Sequence, residues 1–421
     1  MIWQRADCFR EINDSQQDGG LLICGDAGNT DLSAFYGKVQ TVYLDPPGVS
    51  GATKTLKQRV GEAGWASSRQ SVLLPVYQDY SGPADPDYLE YLRRMLVLAH
   101  DLLTPEGSVF VHLEVDALAR GRLLMDEVFG ASNFRNQLIW SYQTGGRSKR
   151  FFSRKHDAIL FYAKSEAHYF DITRVPVARK ETSSNHLKRH VDEKGRSYRS
   201  IISGGKKYIY YDDEPVYPDD VWSDVSQMQQ KDPQRTGYPT QKPQSLLDRI
   251  ILSTTRPGDL VADLTCGSGT TLQSAAVNGR RFLGVDKSAL SFAVSRKRLS
   301  PYRLVCQAPF DAVDALVDAS CIPGIGFYTV ILNAYTTAPE DYDKVHKTPK
   351  NLDLSGLETV DQWYAGLINK GEFVAYASSL RAKQTPALER SLEVPLLRGT
   401  VAILIIDVLG RRSLWTSAPQ I

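Results

Sequence analysis

The stretch GDLVADLTCGSGTT, residues 258–271, is followed after one helix-like segment by RRFLGVD, residues 280–286. An apolar run that enters a glycine-rich turn reads as a buried strand delivering its backbone to the start of a helix. Glycines there let the chain approach a ligand closely, and the helix N-terminus offers free N–H groups. Asp286, closing the next apolar run, is placed to accept hydrogen bonds from a ribose diol. Asp263, Gly267, Gly269 and Asp286 together predict a site for a nucleoside-containing cofactor. A dinucleotide fits less well, because Leu272 stands where the third glycine of GxGxxG belongs.

A second stretch, YLDPPG at residues 43–48, ends another apolar run. Asp45 at the carboxyl end of a strand lies where α/β sheets bind ligands. The rigid Pro46–Pro47 pair fixes a backbone carbonyl beside that carboxylate. Two adjacent acceptors can orient an exocyclic amino group and make it more nucleophilic.

Working outward, LLICGD, GSVFVHLEV and NQLIWSYQ read as strands, while DYLEYLRRMLVLAHDLL and ALARGRLLMDEVFG read as helices. This alternation predicts an α/β fold with a mostly parallel sheet covered on both faces. Residues 147–207 break the rhythm, with 16 Lys or Arg against 6 Asp or Glu. Such an excess, interleaved with Tyr, His and Asn, suits phosphate neutralisation and base contact; a solvated surface insertion is the plainer reading. The rhythm returns at 239–299. Residues 301–421 add strand-like runs such as TVAILIIDVLG, carry no chemical motif, and predict an α/β or α+β accessory domain.

Composition excludes several classes. The 421 residues are 42% hydrophobic and 23% charged with a net charge of +2, an ordinary globular balance. Five cysteines without CxxC or Cys/His spacing predict neither a disulfide framework nor a metal site. No run approaches a membrane span, and MIWQRADCFREINDSQQDGG has no apolar signal core, so a cytoplasmic protein is expected. His112 and His156 read as structural groups, and Cys266 as a small residue fitting a tight turn.

The order of these motifs resembles that of the β-class DNA amino-methyltransferases, the circularly permuted family that methylates adenine N6 or cytosine N4. There a DPPY-type motif precedes the target-recognition region and an FxGxG motif follows it. LLICGD (21–26), GSVFVH (107–112), FSRKHDAILF (152–161) and GYPTQKP (237–243) are similar to further segments of that family. The resemblance covers residues 20–300. It implies a Rossmann-like methyltransferase fold split over residues 1–164 and 236–300, with a recognition insertion at 165–235 and the accessory domain at 301–421.

The resemblance also implies roles. Asp45 and the Pro46 carbonyl, within a catalytic motif completed by Pro47 and Gly48, would hold the target amino group. S-adenosylmethionine would be bound by Asp286 at its ribose, by Gly267, Gly269 and Thr270 on the methionine side, and by Asp26 near the adenine. Asp263, Thr265, Thr240, Gln241 and Lys242 would complete that site, which needs no metal. Double-stranded DNA would be the partner, with the base flipped out of the helix. Arg147, Lys149, Arg150, Arg154 and Lys155 would contact phosphates. A homodimer or a restriction or defence partner is left open, and no membrane is implied. Two positions depart from the pattern: Gly48 stands where an aromatic ring usually stacks on the base, and Thr265 replaces a Phe. Tyr80, Trp65 or Trp140 are rings that can substitute. The alternative is an inactive, methyltransferase-like DNA-binding subunit of a modification or defence complex. Gly48 and Thr265 favour that alternative; Asp45, Asp286 and the Gly-Ser-Gly turn oppose it.

Overall fold

A computed structural model describes residues 3–6, 8, 10–13, 19–67, 70–142, 148–178, 188–309, 315–337 and 356–417. Six parallel strands form the centre, in the spatial order Leu304–Gln307, Gly20–Cys24, Arg281–Asp286, Leu260–Asp263, Val39–Leu44 and Leu103–Leu113. His156–Ala163 joins antiparallel beside Leu103–Leu113, followed by Phe134–Ser141 and the short Val221–Trp222.

Alternate residues of each central strand feed opposite faces, as the two-residue repeat of a strand requires. Val42, Leu44, Val109, Val111, Ala262 and Leu283 pack with Leu92, Met95, Leu96 and Met125. These last belong to α2 (Pro86–Leu102) and α3 (Val115–Phe129), numbered after α1 (Gly61–Ser67). Tyr43, Phe110, Val261 and Phe282 point the other way, onto Leu246, Ile250, Leu272 and Phe292. Those come from α4 (Gln244–Thr254), α5 (Thr270–Val277) and α6 (Ala289–Arg298). Strands buried on both faces read as continuous apolar runs, which is why they stood out in the sequence. The α2 boundaries were equally legible: Asp85 caps it by accepting the Asp87 N–H at 3.0 Å, and Pro86 starts it. α4 starts directly after Pro243, whose ring cannot continue a helix from the preceding segment.

The described part of the C-terminal region differs from the expectation: among its described residues, 301–421 contain strands and a single 3-10 turn, Gly356–Thr359, with no α-helix. Its sequence explains why: TVAILIIDV and WYAGLI are rich in β-branched and aromatic residues and carry no helical period. Through Arg10–Asn13 and Leu304–Gln307 its strands extend the main sheet to fifteen. A second sheet of Ala315–Pro323, Phe327–Thr337 and Ser391–Pro395 packs on the strands Val360–Asn369 and Thr400–Asp407 through Trp363, Val330, Leu392 and Ile403. In the basic region, Arg189–Val191, Ser197–Ser203 and Lys206–Tyr211 form a small antiparallel sheet of largely exposed residues. No helix among the described residues is long and apolar enough to cross a membrane.

Candidate active site

Four neighbouring parallel strands end side by side, and each delivers a predicted site residue from its carboxyl end: Asp26, Asp286, Asp263 and Asp45. The predicted catalytic and cofactor motifs, more than 200 residues apart, are thereby brought together.

On the cofactor side, Asp286 accepts the Gly267 N–H at 2.8 Å and the Ser288 N–H at 2.9 Å. Burial raises its carboxyl above the ordinary value, and these backbone bonds pull against that. Gly267 and Gly269 both take positive φ, 49° and 72°. A Cβ on Gly267 would lie 3.0 Å from the Tyr238 ring, and one on Gly269 would lie 2.8 Å from Ser295 Oγ, so the turn tolerates no side chain at either position. Asp26 accepts the Gly28 N–H at 2.9 Å, with Arg94 3.8 Å away. Asp263 is almost fully buried, accepting the Thr271 hydroxyl at 2.6 Å and the Thr265 N–H at 3.0 Å. Burial pushes its carboxyl up to about 7. It braces the turn from within while still lining the cavity there.

Thr265 has a second task. Its hydroxyl lies 3.2 Å from the Asp45 carbonyl and 3.3 Å from the Asp45 N–H, so it ties the glycine turn to the Asp45 loop. A Phe could not make that tie. Lys242 donates to Asp45 Oδ2 at 2.6 Å. Thr240 shares a hydrogen bond with the Tyr77 hydroxyl at 3.0 Å. Two predicted residues line the cavities and also bond to neighbouring segments. The Gln241 carboxamide holds its own loop, accepting from Thr236 and donating to the Gln234 carbonyl. Thr270 accepts from Arg298 at 2.8 Å.

A second cavity opens on the other side of Asp45, lined by Asp45, Pro46, Pro47, Gly48, Tyr77 and Trp140 among others. The two cavities share Asp45, Pro47, Tyr77, Tyr238, Thr240 and Lys242 as their common wall. Below the second runs a buried polar chain. Tyr43 OH meets His112 Nδ1 at 2.9 Å, His112 Nε2 meets Asp157 at 3.1 Å, and Tyr142 OH donates to Asp157 at 3.1 Å. Burial and the Lys242 charge lower the His112 value, leaving a neutral imidazole at pH 7. Burial raises Asp157, but His112, the Lys242 charge and the Tyr142 bond together outweigh it and leave its carboxyl below the ordinary value.

Gly48 occupies a polar corner. Its N–H donates to Asp79 at 3.0 Å; Asp79 also accepts Ser50 Oγ at 2.5 Å and pairs with Lys54 at 3.0 Å. A Cβ here would stand 2.9 Å from Asp79 and 3.0 Å from Glu114, so carboxylates hold the space of the missing ring. Asp79, Lys54 and Tyr77 were missed in the sequence. They sit on or just after the hairpin Thr53–Arg59 and Ser71–Gln78, whose only signal was the apolar alternation of SVLLPVYQ. Of the proposed substitute rings, Trp140 lines the second cavity, whereas Tyr80 packs on Tyr88 and Tyr91, and Trp65 lies under Arg59 and Lys297.

Of the basic cluster, Lys149 and Arg150 are exposed, Arg154 pairs with Asp116 at 2.7 Å, and the Lys155 carbonyl accepts the Tyr142 N–H at 2.9 Å. Arg147 lies outside the described residues.

The family model described as DNA methylase matches residues 39–295, more than half of the chain and the whole span between the two motifs. The chain belongs to the DNA methylase family. It is 26% identical over 309 residues to the type II methyltransferase M.EcaI of Enterobacter cloacae, covering 62% of this chain and 65% of that protein. It is 35% identical over 163 residues to M1.MboII of Moraxella bovis, covering 37% and 58%. Against the PvuII cytosine-N4-specific DNA methyltransferase structure the identity is 15% and the TM-score 0.44, over 70% of this chain and 90% of that one. These alignments span between about half and two thirds of the curated relatives' own length.

Proposed function

We propose that this member of the DNA methylase family is a β-class enzyme that methylates an exocyclic amino group in DNA, adenine N6 or cytosine N4. One observation carries the reading: Asp45 stands on the wall between two cavities with Pro46 beside it in the second, and the Asp45 backbone is bound through Thr265 to the glycine turn. The first cavity suits S-adenosylmethionine in its lining, with the Asp286 carboxylate at a strand end beside a glycine turn whose backbone comes close to the cavity. When bound, that cofactor supplies the methyl group on a positively charged sulfur.

The chain's own residues do the rest. Asp45 and the Pro46 carbonyl hold the amino group by its two hydrogens, aiming the nitrogen lone pair at the first cavity. Positive charge grows on nitrogen as the bond forms, so an ionised carboxylate beside it stabilises the transition state more than the ground state. Lys242 holds Asp45 Oδ2 at 2.6 Å and leaves its other oxygen for the incoming amino group. The target base reaches the second cavity only by leaving the duplex. The exposed small sheet and the basic residues supply the DNA contacts, with residues 165–235 reading sequence.

Methyl transfer to unmethylated genomic DNA, followed by nucleoside mass spectrometry, tests this reading. Asp45→Ala should abolish transfer while calorimetry still detects S-adenosylmethionine binding. Asp286→Ala should weaken that binding by roughly 1–3 kcal/mol. Transfer by Asp45→Ala at the wild-type rate would remove the mechanism, and a wild type that methylates no DNA would leave the inactive DNA-binding subunit.

A further inference from the structure

The loop between Phe134–Ser141 and His156–Ala163 carries two bare rings in a basic setting. Phe152 is 100% exposed and Phe151 63% exposed, within the run KRFFSRK at residues 149–155. The turn beneath them is built rather than slack. Ser148 N–H donates to Ser153 Oγ at 3.0 Å, and the N–H groups of Arg150 and Phe151 each donate to Ser148 Oγ at 3.3 Å. Arg154 anchors its outgoing end to Asp116 on α3. The loop's feet, Tyr142 and Asp157, both line the second cavity and bond to each other. The exposed rings therefore belong to a segment whose two flanking residues line the cavity assigned to the flipped base.

A phosphate-binding loop needs no aromatic tip, and exposing two adjacent rings to water is unfavourable. The basic residues around them identify the occupant as polyanionic, and a base stack is the apolar part of a duplex. Proteins that unstack DNA drive apolar side chains between base steps. We propose that Phe152, with Phe151 beside it, enters the base stack and holds the gap that the target base leaves. In this role Phe152 is a positioning residue. It touches neither cofactor nor reacting atoms, and it lowers the cost of extruding the base. The inference rests on the proposed DNA methylation.

The test uses the full chain and its Phe151→Ala/Phe152→Ala double variant. Sites methylated in genomic DNA by the wild type define short duplexes, made either fully paired or with an abasic position opposite the target base. The variant should lose about tenfold or more in kcat/KM on the paired duplex, as expected for losing one unstacking wedge. On the abasic-partner duplex, where extrusion is already easy, its rate should return close to the wild-type value. S-adenosylmethionine affinity should not move, and Phe152→Trp should retain activity. Equal losses on both duplexes would make the loop a general DNA contact and overturn the wedge, as would no loss on either. A wild type that methylates nothing would instead fail the enzyme reading, and the wedge with it.

Discussion

Gly48 and Thr265 are the two residues that the sequence reading sets apart from the resembled motifs, and each has a local role in the structure. Thr265 exchanges a ring for a hydroxyl that reaches the Asp45 backbone. At Gly48 the obstacle to a side chain is space, since its φ is not positive and its neighbours are the buried Asp79, already tied to Ser50 and Lys54, and the Glu114 carboxylate. Restoring a ring with Gly48→Tyr should therefore destabilise the protein by about 1–3 kcal/mol, as overpacking does. It should also slow methyl transfer. Thermal unfolding and initial rates check this, and a faster enzyme of undiminished stability would mean the corner yields. Asp263 gives a pH signature. Its carboxyl rises from 3.8 to about 7 through burial. Below the unfolded value both states hold the proton; between the two values the folded chain keeps it while the unfolded chain releases it. Its contribution to stability is thus full in acid and is lost as pH rises through about 7. Denaturant melts between those two values should show a decline that Asp263→Asn flattens. Asp79 shows why part of the site was not legible: it meets Gly48 across 31 positions, and no local pattern announces such a pair.

Strands and loops divide the chain between what its sequence discloses and what it conceals. The strands Val39–Leu44 and Leu260–Asp263 were readable because burial on both faces makes them continuous apolar runs ending in a carboxylate. The hairpin beginning TKTLKQR was not, because half of its residues face water and α1 separates its two arms. It nevertheless supplies Lys54 and Tyr77 to the cavity walls. The basic loop was legible as charge, but only structure separates its members. Lys149 and Arg150 have no acidic partner among the described residues, whereas Arg154 already pairs with Asp116. Neutralising Lys149 and Arg150 together should flatten the slope of log affinity against log salt by up to ~0.9 per lost phosphate contact. Arg154→Gln should change it less, because binding DNA there must compete with Asp116. Fluorescence titrations at several salt concentrations check both. Equal slopes for the double variant and the wild type would mean that these two side chains face solvent in the complex.

Across the whole molecule, one buried charge cluster joins the strand Arg10–Asn13, α6 and the strand Arg412–Ser417. Glu11 lies between Arg296 and Arg412, pairing with Arg412 at 2.7 Å, and all three are nearly inaccessible. No pattern in the sequence linked them, since Glu11 and Arg412 are 401 positions apart. The C-terminal strands were legible as strands, yet their attachment to the parallel sheet was not, because strand partners carry no local mark. That attachment reaches the active site. Lys297 of α6 pairs with Asp361 at 2.9 Å and lies over the Trp65 ring, while Val408 packs with Val60, Val72 and Leu74 around the hairpin that bears Tyr77. The C-terminal region therefore braces one wall of the shared cavities. Glu11→Ala leaves two guanidinium groups facing each other without an anion, and breaking a buried pair from one side costs about 3–5 kcal/mol. Replacing Glu11, Arg296 and Arg412 together with apolar residues of similar volume removes the unpaired charge, so it should cost much less. Denaturant midpoints of the two variants should differ in that order. If the hairpin depends on this bracing, Glu11→Ala should also weaken S-adenosylmethionine binding under conditions where the chain remains folded. A variant with full stability and unchanged cofactor affinity would show that the cluster fastens neither the sheet nor the site.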